Sequence, residues 1–173
     1  MNYSAIKYCD IANGTGVRTV LFVSGCRNRC EGCFQPKTWD FSYGFEFTKD
    51  VEEKILKSLE PSYIAGLTVL GGEPFEEENQ KVLLPFLKRV RCEFPKKSIW
   101  AYTGYIFDKD LKVGGRKYTE NTRELLSCLD VLVDGPFDLQ KKNLMLKFRG
   151  SENQRLIDVR ASLRENRLIL WGI

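Results

Sequence analysis

Apolar residues along this chain follow two rhythms. Short unbroken runs, rich in β-branched and aromatic residues and bounded by glycine, proline or polar residues, read as buried strands at 17–23, 66–70, 98–102 and 131–133. Between them, apolar positions recur every three or four residues, as on one face of a helix. Thr48 is placed to cap the first helix. Asp50, Glu52 and Glu53 suit its positive end, and Val51, Ile55, Leu56 and Leu59 line one face until Glu60-Pro61. A second helical pattern spans 76–94 through Val82, Phe86, Val90 and Phe94. Pro85 predicts a break in it near Leu84, because proline suits the first helical position rather than the interior. A third helix is expected over 119–129, with Leu125, Leu126 and Leu129 inward. Residues 159–166 read as a short helix and 168–171 as a final strand. Residues 1–18 form an approach that ends in a turn at Asn13-Gly14-Thr15-Gly16. Residues 108–117 are a loop around Gly114-Gly115, and 149–155 are polar with no apolar period.

Strand alternating with helix is the pattern of βα units on a parallel sheet, joined by right-handed crossovers. The fold expected is therefore α/β, with a mostly parallel sheet. The chain of 173 residues shows no repeat, low-complexity tract or linker, so one domain over 1–173 is expected. That length falls short of the roughly 250 residues of a closed eight-unit barrel. The chemically suggestive residues follow strands, at the rim where such folds gather ligands.

The most suggestive of these is the stretch after the first strand, Ser24-Gly25-Cys26-Arg27-Asn28-Arg29-Cys30-Glu31-Gly32-Cys33-Phe34. A compact loop there can aim three thiolates at one place. Soft thiolates select iron–sulfur clusters or zinc. The chain has no histidine, which removes the usual partner in mixed zinc sites and any histidine-based catalysis. Three sulfurs leave one position of a four-ligand site open, which suits a metal that must also hold a substrate. A zinc-binding interaction module remains open on these grounds, with Cys9, Cys92 or Cys128 as the fourth ligand. Two further strand ends carry candidates: Gly71-Gly72-Glu73-Pro74, where paired glycines admit close approach, and Thr103, which follows the strand 98–102. Asp134 ends another strand, where a ligand role and a turn-forming role before Gly135 are equally open.

Cys-x-x-x-Cys-x-x-Cys followed by an aromatic resembles the signature of the radical S-adenosylmethionine (SAM) enzymes. Within them the chain most resembles the anaerobic ribonucleoside-triphosphate reductase-activating proteins. The shared segments are Asp10 to Arg18, the cysteine loop, Thr38-Trp39, Gly71-Gly72-Glu73-Pro74, Trp100 to Tyr105, Val131 to Gly135 and, above all, Arg149-Gly150-Ser151-Glu152-Asn153-Gln154. The resemblance and the length together favour an incomplete, open β/α barrel. The resemblance implies that Cys26, Cys30 and Cys33 hold a 4Fe–4S cluster whose fourth iron takes SAM. Gly32, Cys33 and Phe34 would lie beside the adenine, and Gly71, Gly72 and Glu73 near the methionyl amine. The partner implied is the glycyl radical subunit of the reductase, with a one-electron donor such as flavodoxin. Activation of another glycyl radical enzyme, such as a formate-lyase, is the neighbouring alternative.

Composition adds little to this picture. A net charge of +4 without a dense Lys/Arg block gives no reason to expect nucleic acid. No run approaches the roughly 20 apolar residues of a membrane span, and no apolar segment follows Met1. Clustered thiols of this kind predict a reducing, cytoplasmic setting.

Overall fold

The computed structural model describes residues 1–172. Seven strands form one sheet in the order β3-β1-β2-β4-β5-β6-β7. Its centre is four parallel strands: β2 (Val17–Val23), β4 (Ile64–Gly71), β5 (Ser98–Tyr102) and β6 (Val131–Asp134). These are the four unbroken apolar runs of the sequence, as expected for strands covered on both faces. Antiparallel strands flank them. β1 (Asn2–Asp10) pairs with β2 and carries β3 (Phe45–Glu46) on its outer edge, while β7 (Arg155–Asp158) pairs with β6.

The helices α1 (Lys49–Leu59), α2 (Glu77–Glu93), α3 (Thr122–Ser127) and α4 (Val159–Glu165) bury their apolar faces on one side of the sheet. Ile55, Leu59, Leu83, Leu87, Val90 and Leu125 meet Leu21, Val23, Leu67, Val69, Ile99 and Leu132 there. The opposite face has a smaller core of Trp100, Val131, Val133 and Leu156, closed over by Tyr102, Phe148 and Trp171. A mixed sheet with a parallel centre and helices on one face is an open, partial barrel. No described helix is long and apolar enough to cross a membrane.

Arg18 closes the lower end of the free face. Its buried guanidinium donates to Thr68 Oγ1 (2.7 Å), the Leu67 carbonyl (2.7 Å), Ser98 Oγ (2.9 Å), the Ser98 carbonyl (2.9 Å) and the Thr15 carbonyl (3.1 Å). It also stacks on Trp100, 5.4 Å from the ring centre. Burial lowers its pKa to about 10, so it stays charged while tying β2, β4 and β5 together.

Four expectations change. The approach 1–18 contains a nine-residue strand, β1, whose period is hidden because its pairing with β2 shifts at Tyr3/Ala5 and at Lys7/Asp10. Helix α2 runs through Pro85 without a break. Pro85 is exposed while Leu83, Leu84, Phe86 and Leu87 are buried, so the backbone bond that proline forfeits lies on the solvent side and the packed face persists. Residues 168–171 make a single bridge, Ile157↔Leu170, and not a strand; Trp171 instead packs edge-on against Trp100 at 5.0 Å. The helix expected over 119–129 is confined to α3, while Leu125, Leu126 and Leu129 are buried as expected.

Gly66 lets β4 and β5 meet. A Cβ there would lie 1.8 Å from the Ser98 carbonyl oxygen, which is backbone and cannot swing aside. Gly66→Ala should therefore cost about 3 kcal/mol in urea unfolding. Gly114→Ala, at a positive-φ position with nothing within 4 Å of its Cβ, should cost only about 1 kcal/mol.

Candidate metal centre at the sheet rim

The cysteine loop leaves the C-terminal end of β2 and closes on itself. The Gly25 amide donates to the Thr38 carbonyl (2.8 Å) and the Cys26 amide to the Trp39 carbonyl (3.2 Å), so entry and exit lie side by side. Between them, the Cys33 amide donates to the Cys30 carbonyl at 3.1 Å, forming the turn that carries the last two thiols. The loop after β4 is sewn onto this base: the Gly72 amide donates to the Val23 carbonyl (2.7 Å) and the Glu73 amide to the Gly25 carbonyl (2.8 Å). The approach is so close that a Cβ on Gly72 would sit 2.7 Å from the Gly25 oxygen.

Two buried carboxylates brace the arrangement. Glu73 accepts from the Phe75 amide (2.9 Å), the Thr103 hydroxyl (2.7 Å), the Gly104 amide (2.8 Å) and Asn28 Nδ2 (2.9 Å). It thereby joins the loops after β4 and β5 to the cysteine loop. Burial pushes its pKa up to about 7, against the pull of these donors. Glu76 accepts from the Arg27 amide (2.9 Å), Arg27 Nη1 (2.8 Å), the Tyr105 hydroxyl (2.8 Å) and Lys117 Nζ (2.7 Å). Burial opposes its charge, but hydrogen bonds from Lys117, Tyr105 and Arg27 prevail and hold it below the usual carboxylate range. Arg27 also pairs with Glu78 and lies 4.3 Å over the Phe41 ring.

Cys26, Cys30 and Cys33 are free and half-buried on this one loop. Burial, then the negative charge of Glu73, push the Cys26 thiol up to about 11. Burial likewise raises the Cys30 thiol. Among the described residues, no three cysteine or carboxylate side chains are grouped to enclose a single metal ion. In an iron–sulfur cube each protein thiolate binds a different iron. The donor set fits the cube: three free thiols share one loop, while Cys9 lies on β1, Cys92 on α2 and Cys128 just past α3.

The other expected residues fall at the same rim in different roles. Gly71 and Gly72 are half-buried, with the backbone of Phe22 to Gly25 filling the space where side chains would stand, and Gly32 and Phe34 are exposed, Phe34 fully. The side-chain oxygens of Glu73 and Thr103 are committed to protein partners, Thr103 donating to Glu73 and accepting from the Tyr105 amide at 3.0 Å. Asp134 accepts from the Phe107 amide (2.8 Å) and from Arg155 Nε (2.9 Å) and Nη2 (2.5 Å). Sequence reasoning passed over Asn28, Arg27, Glu76, Tyr105 and Lys117. Glu76, three residues beyond Glu73 in Gly-Gly-Glu-Pro-Phe-Glu, was the one detectable in principle.

Glu76→Gln keeps the shape and removes the charge that faces Arg27 and Lys117. Chemical unfolding should show a loss of about 2 kcal/mol near neutral pH. A lowered carboxylate pKa contributes stability above the ordinary carboxylate range and loses it as pH falls through that range. Wild type and variant should therefore converge in acid, and a gap independent of pH would refute the ionic account of Glu76.

Comparison with known proteins agrees with this geometry. Residues 12–157 match a family model described as a 4Fe-4S single cluster domain. The chain is 43% identical over 156 residues to the anaerobic ribonucleoside-triphosphate reductase-activating protein of Pasteurella multocida, covering 89% of this chain and 95% of that one. The phage T4 protein of the same name is 41% identical over 158 residues, 90% and 93% of the two chains. The Escherichia coli K12 protein is 37% identical over 156 residues, 89% and 96% of the two. With three thiols on a rim loop, a cluster-domain match across most of its length and relatives matched nearly end to end, the chain belongs to the family of anaerobic ribonucleoside-triphosphate reductase-activating proteins, radical SAM enzymes with a 4Fe–4S cluster.

Proposed function

We propose that residues 1–173 act as one radical SAM domain, in which Cys26, Cys30 and Cys33 hold three irons of the cluster and leave the fourth to SAM. The observation that carries this reading is the count of thiols: three free cysteines share the closed loop, and the other three lie on separate elements. When bound, and reduced by an external donor, the cluster would supply the one electron that cleaves SAM to methionine and a 5′-deoxyadenosyl radical, the species that would remove a hydrogen atom from a glycine of the reductase.

The chain's own residues supply shape and exclusion. Without side chains, Gly71 and Gly72 let the loop after β4 lie directly on the backbone of β2 and Gly25, and their carbonyls would be the acceptors offered to the methionyl amine. Glu73 and Thr103 serve that amine indirectly, by fixing the wall against which it rests. Asp134, locked to Arg155, holds the neighbouring loop in the same way. The exposed Phe34 and the backbone from Gly32 to Phe34 are placed to cover the adenine. The helix-free face of the sheet leaves room for a loop of a large partner. The partner is the reductase's glycyl radical subunit, the electron comes from a small donor such as flavodoxin, and the setting is the reducing cytoplasm, which keeps six thiols free.

Anaerobic reconstitution tests the reading. Wild type should take up about four irons and four sulfides and, with dithionite, release 5′-deoxyadenosine and methionine from SAM. Cys30→Ala should give no product above background. Equal turnover by the two proteins, or a colourless protein holding one zinc, would overturn it. Glycyl radical formation on the reductase, and its absence on a formate-lyase, separates the two partner assignments by paramagnetic resonance.

A further inference from the structure

The polar segment that ends at Gln154 does not face the thiols; it braces an arm that does. Gln154 Oε1 accepts from the amides of Gly150 (2.8 Å) and Ser151 (3.1 Å), and its Nε2 donates to the Gly135 carbonyl at 3.1 Å. Arg149 Nη1 donates to the Gln154 carbonyl (2.7 Å), and Asn153 Nδ2 donates to the Pro136 carbonyl (2.7 Å). Buried Ser151 accepts from the Asp138 amide at 3.2 Å and bridges to Lys142. Farther out, Asn143 Nδ2 donates to Glu152 Oε1 at 3.0 Å, and the Phe148 ring meets Trp100 edge-on at 5.4 Å. The loop between β6 and β7 is thus a hairpin-like arm held from its base to near its tip.

At its base this arm touches the thiol loop. Leu139 packs on Gly32 so closely that a Cβ there would lie 2.9 Å from Leu139 Cδ1. At its tip, Leu144 and Met145 stand 86% and 89% exposed, side by side. Scattered exposed apolar residues are ordinary, but an adjacent pair held out on a braced arm beside a reactive centre is not placed there by core packing. The arm is also basic, with Lys141, Lys142, Lys147 and Arg149 against Asp138 and Glu152. Lys142 and Lys147 have no ion-pair partner among the described residues.

We propose that the arm 136–150 docks the glycyl radical subunit of the reductase, with Leu144 and Met145 entering an apolar recess flanked by carboxylates. This rests on the reading under Proposed function. An electron can pass through a gap, so its donor need not touch this rim. A hydrogen atom is taken only at contact distance, so the glycine-bearing partner must seat itself beside the cysteine loop, where the arm stands. Neutralising Lys142 and Lys147 should then weaken docking most at low salt.

The test uses the full chain with its cluster loaded, comparing wild type, Leu144→Asp/Met145→Asp and the control Leu163→Asp on α4. With dithionite as reductant, all three should cleave SAM at rates within about twofold and melt at similar temperatures. The double variant should bind the reductase about tenfold more weakly than wild type or control. Its glycyl radical yield should fall at limiting reductase and recover when the reductase is raised. Unchanged reductase affinity overturns the assignment. So does a double variant that loses only self-association, or only reduction by a protein electron donor, while still binding the reductase normally. Wild type that neither binds nor radicalises the reductase overturns this and the underlying reading together; wild type that does both, with the double variant indistinguishable, overturns docking alone.

Discussion

Two carboxylates at the end of β4, Glu73 and Glu76, each accept four hydrogen bonds, and the rim is assembled around them. Their donors come from the cysteine loop, from the loop after β5 and, through Lys117, from the segment before α3. Buried carboxylates are costly unless fully satisfied. That cost turns them into constraints: the loops must stay together for each charge to keep its partners. The cysteine loop gains its fixed position from Asn28 and Arg27, which lie between its thiols and these anchors. The protein's part in the chemistry is to hold a shape, since the cofactors carry the bond-breaking.

The sheet explains why the anchors fall where they do. Parallel strands β2, β4, β5 and β6 all end at the same rim, so loops distant in the sequence become neighbours. Arg18 and Trp100 fill the opposite end of the helix-free face, so that face is solid below and open above. With helices on one side only, the chain keeps an approach for a macromolecular substrate that a closed barrel of side chains would deny.

Much of this was legible in the residues. A strand buried on both faces is an unbroken apolar run, so 17–23 and 98–102 coincide with β2 and β5. Three cysteines at close spacing mark a metal site locally, and the family resemblance names the cluster. What was hidden depended on partners far apart in the chain. β1 loses its alternation to register shifts, and β7 is only four residues long, beginning at the Arg155 that pairs with Asp134. Pro85 falls on the solvent side of α2, which no local rule reveals. Glu73, Thr103 and Asp134 have the residue types of ligands and the positions of ligands, but their oxygens are committed to protein donors supplied from other loops. A motif gives the address of a side chain; its hydrogen bonds decide its task.

The central claim is that this loop leaves one corner of an iron cube without a protein ligand and that SAM fills it. Electron–nuclear double resonance on the reduced, cluster-loaded protein with isotopically labelled SAM measures this directly. The account predicts hyperfine coupling of the cluster to the methionyl amine nitrogen and carboxylate oxygen. A fully loaded cluster whose spectrum is indifferent to SAM would contradict it.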